Sequence, residues 1–202
     1  MNVALSICSA LIFLHSIRPK PVVHGDLKPE NIMFNAQNIL KLGDFGISYE
    51  LNCTTNTGTW EHLTKGMPRG SSSYVDPEFQ NTCKLTPFAD VYAFGVILLQ
   101  LVTGQNAMGL VDLVQQKLMA SPNLKSKGER MQKKILEKLG LIHSTLEDLK
   151  LDTYDPRAIL LVLQLGLACT KKNSRERPSL SGGVWPTLYM IKQQSTSCSA
   201  AQ

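Results

Sequence analysis

The run from Pro87 to Gly104 constrains the fold of this chain more than any other stretch. Val91, Phe94, Ile97, Leu98, Leu101 and Val102 cover nearly every face of a helix. Such a helix must lie inside the molecule, with neighbours on most sides. Gly104 suits its C-cap. Other helices have to surround it. Ala4, Ile7, Cys8, Leu11 and Leu14 recur at helical spacing within residues 3–16, and Arg18-Pro19-Lys20-Pro21 ends that helix. Leu110 to Met119 and Pro156 to Cys169 read as helices. Met131 to Leu139 reads as a weaker one within the charged stretch from Ser121 to Asp155. Ser174 to Pro178 is a loop, and Val184 to Lys192 a last helix with Pro186 in its first turn. The fold class is mostly α.

Strand signals are few. Ile32-Met33-Phe34 and Ile39-Leu40-Lys41-Leu42 read as one short hairpin, joined by the polar Asn35-Ala36-Gln37-Asn38. The chemistry-bearing residues flank it. His24-Gly25-Asp26-Leu27-Lys28-Pro29-Glu30-Asn31 comes before the hairpin and Asp44-Phe45-Gly46 after it. Asp26 can orient a hydroxyl and accept its proton. Lys28 can reach a transferred phosphate as a compact cation. Asn31 and Asp44 offer hard oxygens that suit Mg²⁺ on ATP. Taken alone, Asp-x-x-Pro-x-Asn is also a common side-chain-stabilised turn. The second motif at short separation favours phosphoryl transfer. Gly43 to about Tyr74 is long, polar and rich in Thr, Ser and Gly, as functional loops of compact domains are.

Composition excludes several classes. The chain has 202 residues and a net charge of +5, enough for one or two small domains. Its five cysteines, Cys8, Cys53, Cys83, Cys169 and Cys198, are scattered and form no close metal-ligand pair. That fits reduced thiols better than a disulfide framework. Lys125, Lys127, Arg130, Lys133, Lys134 and Lys138 cluster; they read as a solvated helical face, not a nucleic-acid surface. Met1 to Leu14 is apolar but lacks a positive n-region and a cleavage pattern, and no stretch reaches the ~20 apolar residues of a membrane span.

These motifs carry a resemblance. From Asn2 to about Lys192 the chain resembles the C-terminal lobe of a eukaryotic protein kinase, which implies a mostly α lobe with a short β-hairpin at the catalytic loop. Residues 1–194 would form that lobe and 195–202 a disordered tail. Gly70-Ser71-Ser72-Ser73-Tyr74-Val75-Asp76-Pro77-Glu78 resembles the substrate-docking loop and the Ala-Pro-Glu motif, with Asp76 in place of Ala. Asp90-Val91-Tyr92-Ala93-Phe94-Gly95 resembles the start of the central helix, whose Asp bonds the catalytic-loop backbone in the family. Arg177-Pro178 resembles the site whose Arg pairs with the glutamate, here Glu78. Tyr74 to Phe79 and Phe94 to Gly104 are similar to plant receptor-like kinases, and His24 to Asn31 to the plant U-box-linked cytoplasmic kinases. Lys28 with Pro29 is similar to the serine/threonine class. The resemblance implies Asp26 and Lys28 as catalytic residues and Asn31 and Asp44 as ligands of ATP·Mg²⁺. Gly46, Ser71, Glu78, Asp90 and Arg177 would be structural or substrate-loop residues. It also implies a protein substrate, an upstream kinase or receptor partner, and a cytoplasmic location or one at the inner face of the plasma membrane.

The departures matter as much. Gly25 stands where many kinases carry Arg, so a phosphate on the Gly43–Tyr74 loop could not pair there. Ser73 replaces a common Gly, and Ser71 a common Thr. No Gly-x-Gly-x-x-Gly occurs in the 202 residues, nor a strand lysine before Asp26. Those parts cover the ATP phosphates. Positioning supplies up to about 7–11 kcal/mol of such a barrier, so these residues alone are expected to show little activity. Two functions stay open: the catalytic half of a serine/threonine kinase, or an inactive kinase-like lobe that acts as a protein-binding module.

Overall fold

The computed structural model describes residues 1–54, 58–142 and 155–199. Among these the helices are α1 (Asn2–Ser16), α2 (Pro77–Thr82), α3 (Pro87–Thr103), α4 (Leu110–Met119), α5 (Glu129–Lys138), α6 (Pro156–Cys169) and α7 (Trp185–Ser199). The central position of α3 follows from its composition. Phe94, Ile97, Leu98 and Leu99 are buried in one core with Ile7, Leu11, Leu163 and Leu188 from the surrounding helices. Each such side chain contributes roughly 1.5–3 kcal/mol relative to exposure. Leu101 departs from expectation: it is 47% exposed. Gly104 ends α3 at φ 63°, its N–H donating to Gln100 O.

α3 packs closest to α6, and two glycines set the distance. A Cβ on Gly95 would lie 2.7 Å from Cys169 Cβ, and one on Gly166 would lie 2.6 Å from Leu99 Cδ2. Only absent side chains permit this approach. α1 covers another side of the core, where Trp185 Nε1 at the start of α7 donates to Ser9 Oγ at 3.1 Å. On α5, Gln132 and Leu136 face inward while Arg130, Lys134 and Lys138 are exposed, the solvated face expected.

The expected hairpin is present as β2 (Ile32–Phe34) and β3 (Leu40–Leu42), in antiparallel register Ile32 to Leu42. It is not the only β-structure. β1 (Val22–Val23) pairs with β4 (Tyr49–Glu50), and β5 (Asn52–Cys53), β6 (Trp60–Leu63) and β7 (Lys84–Leu85) form a three-stranded sheet. The long polar loop is thus partly pinned by strands too short to show alternation. At the C-terminus, helix α7 continues to Ser199 where a disordered tail was expected, because no Pro or Gly follows Pro186 to stop it. Residues 200–202 of that tail, and residues 143–154 of the charged stretch, lie outside the described residues.

Candidate active site

The site grows out of the N-terminus of α3. Asp90 is almost fully buried in the first turn. Its Oδ2 accepts from the His24 N–H at 2.9 Å and its Oδ1 from the Gly25 N–H at 3.0 Å. His15 Nε2 of α1 lies 2.8 Å from the same carboxylate. Burial opposes the Asp90 charge, but His15 and the two amides outweigh it and hold its carboxyl below the ordinary range. One buried acid therefore fixes the backbone that leads into Asp26.

Gly25 has the conformation this geometry needs. Its φ is +80°, and a Cβ there would lie 2.8 Å from Ile47 O. The glycine noted as a departure is thus well suited to its backbone. His24, also buried, braces in two directions. Its Nδ1 accepts from the Asp26 N–H at 3.3 Å, and its Nε2 lies 2.9 Å from Gly43 O. The Phe45 ring sits 4.9 Å from the imidazole. His24 thereby ties the Asp26 loop to the Asp44 turn, a role the motif did not reveal.

Asp26, Lys28, Asn31 and Ser71 come together. Asp26 Oδ2 accepts from Lys28 Nζ at 2.7 Å and from Asn31 Nδ2 at 3.3 Å, while Asn31 Nδ2 also donates to Asp26 O at 2.8 Å. Asp26 Oδ1 accepts from the Ser71 N–H at 2.9 Å, and Lys28 Nζ also donates to Ser71 Oγ at 2.9 Å. Ser71 reaches the site because Gly70 precedes it at φ +131°, where a Cβ would press on Val75 Cγ2 and Gly25 O. Desolvation raises the Asp26 pKa, but the Lys28 ammonium and the Ser71 contacts prevail and keep it below the usual carboxylate range. The hydrogen bond to Asp26 raises the Lys28 pKa. At neutral pH the pair is a carboxylate and an ammonium.

Asp44 lies one residue beyond Gly43, whose N–H donates to Asn31 O at 2.9 Å. Asp44 adopts φ 57° and its Oδ1 accepts from the Gly46 N–H at 3.3 Å. Asp44, Phe45 and Gly46 are exposed. No hydrogen bond among the described residues engages Asn31 Oδ1 or Asp44 Oδ2. Those hard oxygens fit a divalent cation that takes its remaining ligands from water and phosphate. Among the described residues there is no cluster of three His, Cys, Asp or Glu that could hold a metal ion.

Arg177 and Glu78 lie at the far end of the segment, and here the expected pairing is corrected. Arg177 is buried, and its Nη1 and Nη2 donate to Asp76 Oδ2 and Oδ1 at 2.7 and 2.6 Å. Its Nη1 and Nε also donate to Phe88 O and Lys171 O, and the guanidinium lies over the Tyr92 ring. Glu78 Oε2 instead accepts from the Ser174 N–H at 2.7 Å. The reason is helix geometry. Asp76 is the N-cap of α2, its Oδ1 also accepting the Glu78 N–H, and this turns the Asp76 carboxylate inward. The sequence signal was available: an Asp directly before a Pro that opens a helix.

The family model described as the protein kinase domain matches residues 1–183. The chain is similar to U-box domain-containing protein 70 of Oryza sativa subsp. japonica, 37% identical over 197 residues, which is 98% of this chain and 22% of that protein. It is 36% identical to U-box domain-containing protein 51 of Arabidopsis thaliana over 192 residues, 95% of this chain and 22% of that one. With U-box domain-containing protein 57 of Oryza sativa subsp. japonica it shares 35% over 189 residues, 93% of this chain and 31% of that protein. The chain spans between about a fifth and a third of the length of these relatives.

Proposed function

We propose that the Asp26 loop transfers a phosphoryl group from ATP to protein hydroxyls, reasoning from the premise that the chain belongs to the protein kinase family. The observation that carries this reading is the shared bonding of Asp26, Lys28, Asn31 and Ser71 on a backbone fixed by Asp90. Asp26 takes the proton of the acceptor hydroxyl, a role worth on the order of 10²–10⁴-fold. Lys28 neutralises charge that develops on the transferred group, and Ser71 fixes where the two can move. Asn31 and Asp44 would hold a divalent ion, Mg²⁺ by the hardness of their oxygens, which would supply charge neutralisation on the ATP phosphates. The serine/threonine class rests on Lys28 and its hydrogen bond to Ser71. No helix among the described residues is long and apolar enough to cross a membrane. A cytoplasmic setting and an upstream kinase or receptor partner remain part of the same proposal.

These 202 residues supply one side of the cleft. No glycine-rich loop and no strand lysine precede Asp26 in them. Phe45, Met33, Phe34 and Ile39 are each more than two-fifths exposed beside the site. Both facts support the reading that residues 1–194 act as the C-terminal lobe of a larger catalytic unit. They also favour a second reading, a kinase-like lobe that binds partners through this surface. The test is incorporation of labelled phosphate into a generic protein substrate. The 202-residue chain alone should give negligible transfer. The same chain joined to the segment that precedes the matched region in the rice relative, U-box domain-containing protein 70, should bind ATP·Mg²⁺ and transfer phosphate. Asp44→Asn should weaken its metal-dependent ATP binding. A joined chain that binds no ATP would move the reading to the binding module.

A further inference from the structure

Away from the Asp26 loop, charge is concentrated on one helix. Residues 125–138 hold six cations and two acids, and so carry nearly all of the chain's net charge of +5. Their placement on α5 is sharper still. At about 100° per residue, Arg130, Lys134 and Lys138 fall within one arc of about 80°, with Met131 at its edge. All four are exposed, Met131 by 51%. The opposite side is anchored. Leu136 is buried, and the buried Gln132 donates from Nε2 to Leu124 O and Lys125 O at 3.2 and 3.3 Å. Those two bonds fix the turn that places Lys125 and Lys127, both exposed, just ahead of the helix. The acids do not neutralise the arc. Glu129 pairs with Arg157 of α6 at 3.0 Å, and Glu137 is half-buried. Arg130, Lys134 and Lys138 make no ion pair among the described residues.

The chemistry of the arc selects its partner. Five of the six cations are lysines. They are compact charges on flexible stems, suited to a diffuse plane of negative charge, whereas bidentate recognition of a single phosphate or carboxylate favours arginine. Residues 125–138 contain no aromatic side chain, so they offer no platform for stacking a nucleobase. Met131 adds an apolar group at the edge of the arc, as helices that lie in a membrane interface do. Clusters of four to eight Lys or Arg on an amphipathic helix are drawn to anionic headgroups. We infer that α5, with the turn before it, is a docking surface for an anionic lipid bilayer. The helix lies along the membrane surface, with Arg130, Lys134 and Lys138 at the headgroups and Met131 towards the acyl boundary. This is attachment to a surface and not a membrane span. It goes beyond the proposed phosphoryl transfer and is independent of it, since it needs neither Asp26 nor ATP.

The test is co-sedimentation of the 202-residue chain with vesicles of phosphatidylcholine alone, or of phosphatidylcholine mixed with phosphatidylserine. The chain should bind the mixed vesicles, leave the neutral ones, and bind less as salt rises. The triple variant Arg130→Gln/Lys134→Gln/Lys138→Gln should bind about 10²-fold more weakly, because each cation near such a surface is worth roughly five-fold. The charge-reversed triple, with Glu at the same positions, should not bind. Both should melt at the parent temperature, since all three side chains are exposed. Met131→Ser should weaken binding by about a few-fold and leave its salt dependence unchanged. Equal binding to both kinds of vesicle would overturn the proposal, as would a Gln triple variant that binds like the parent. Tighter binding to polyglutamate or to a DNA duplex than to the mixed vesicles would also overturn it, and would assign the arc to an acidic protein or to nucleic acid.

Discussion

The Asp26 loop and the segment that follows Asp44 are neighbours built on different principles. The first is fastened from beneath. Asp90 of α3 accepts two of its amides, and Val23, His24 and Leu27 are buried. The second is pinned at its ends. Near its start Leu51 is buried and its N–H donates to Pro21 O; at its finish Ser71 reaches Asp26. Between these points β5 is exposed and β6 is half-buried along Trp60 to His62, with Trp60 packed on a small satellite core. Fixed geometry thus comes from the core, whereas the second region rests on its end contacts and on short strands.

The contrast can be broken most severely at Asp90. Asp90→Ala leaves the His24 and Gly25 amides without acceptors, each at a cost of about 1–3 kcal/mol. Denaturant unfolding should show a large loss of stability. Unchanged stability would mean that the Asp26 loop is not held from α3. Arg177→Ala comes next. It strands the buried Asp76 carboxylate, and removal of one partner of a buried pair costs ~3–5 kcal/mol. Glu78→Gln should cost only about 1 kcal/mol, because it weakens a single hydrogen bond to Ser174. Equal losses for Arg177→Ala and Glu78→Gln would restore the pairing read from the motif.

The smallest effect is acid dependence. The folded-state pKa of Asp26 is depressed. Its contribution to stability is therefore present above the ordinary carboxyl value of about 3.9 and is lost as pH falls through the lower folded value. Asp26→Asn should lower stability near neutrality and flatten the further loss below about pH 4. An identical acid limb in parent and variant would contradict the ionised Lys28–Asp26 pair.

What the sequence disclosed follows the same division. The bounds of α3, its Gly104 cap and the hairpin after Asn31 were readable, since long apolar periodicity and turn residues are local signals. So was the assembly of Asp26, Lys28 and Asn31, which lie within one loop. Less was visible where distant residues meet. Asp76 looked like a mere replacement for Ala, yet it is the partner of Arg177, 101 positions away. His15 carries no motif of its own in the sequence, though it braces Asp90. The β5–β6–β7 sheet escaped because strands of two to four residues carry too little pattern.

The central claim is that the core-fastened Asp26 is the base of a phosphoryl transfer. It is tested most directly by Asp26→Asn in the chain joined to its rice relative's preceding segment, with turnover and ATP affinity measured side by side. The account predicts a fall in turnover of about 10²–10⁴-fold, with ATP·Mg²⁺ affinity kept because Asn31 and Asp44 are untouched. Turnover equal to the parent's would contradict it.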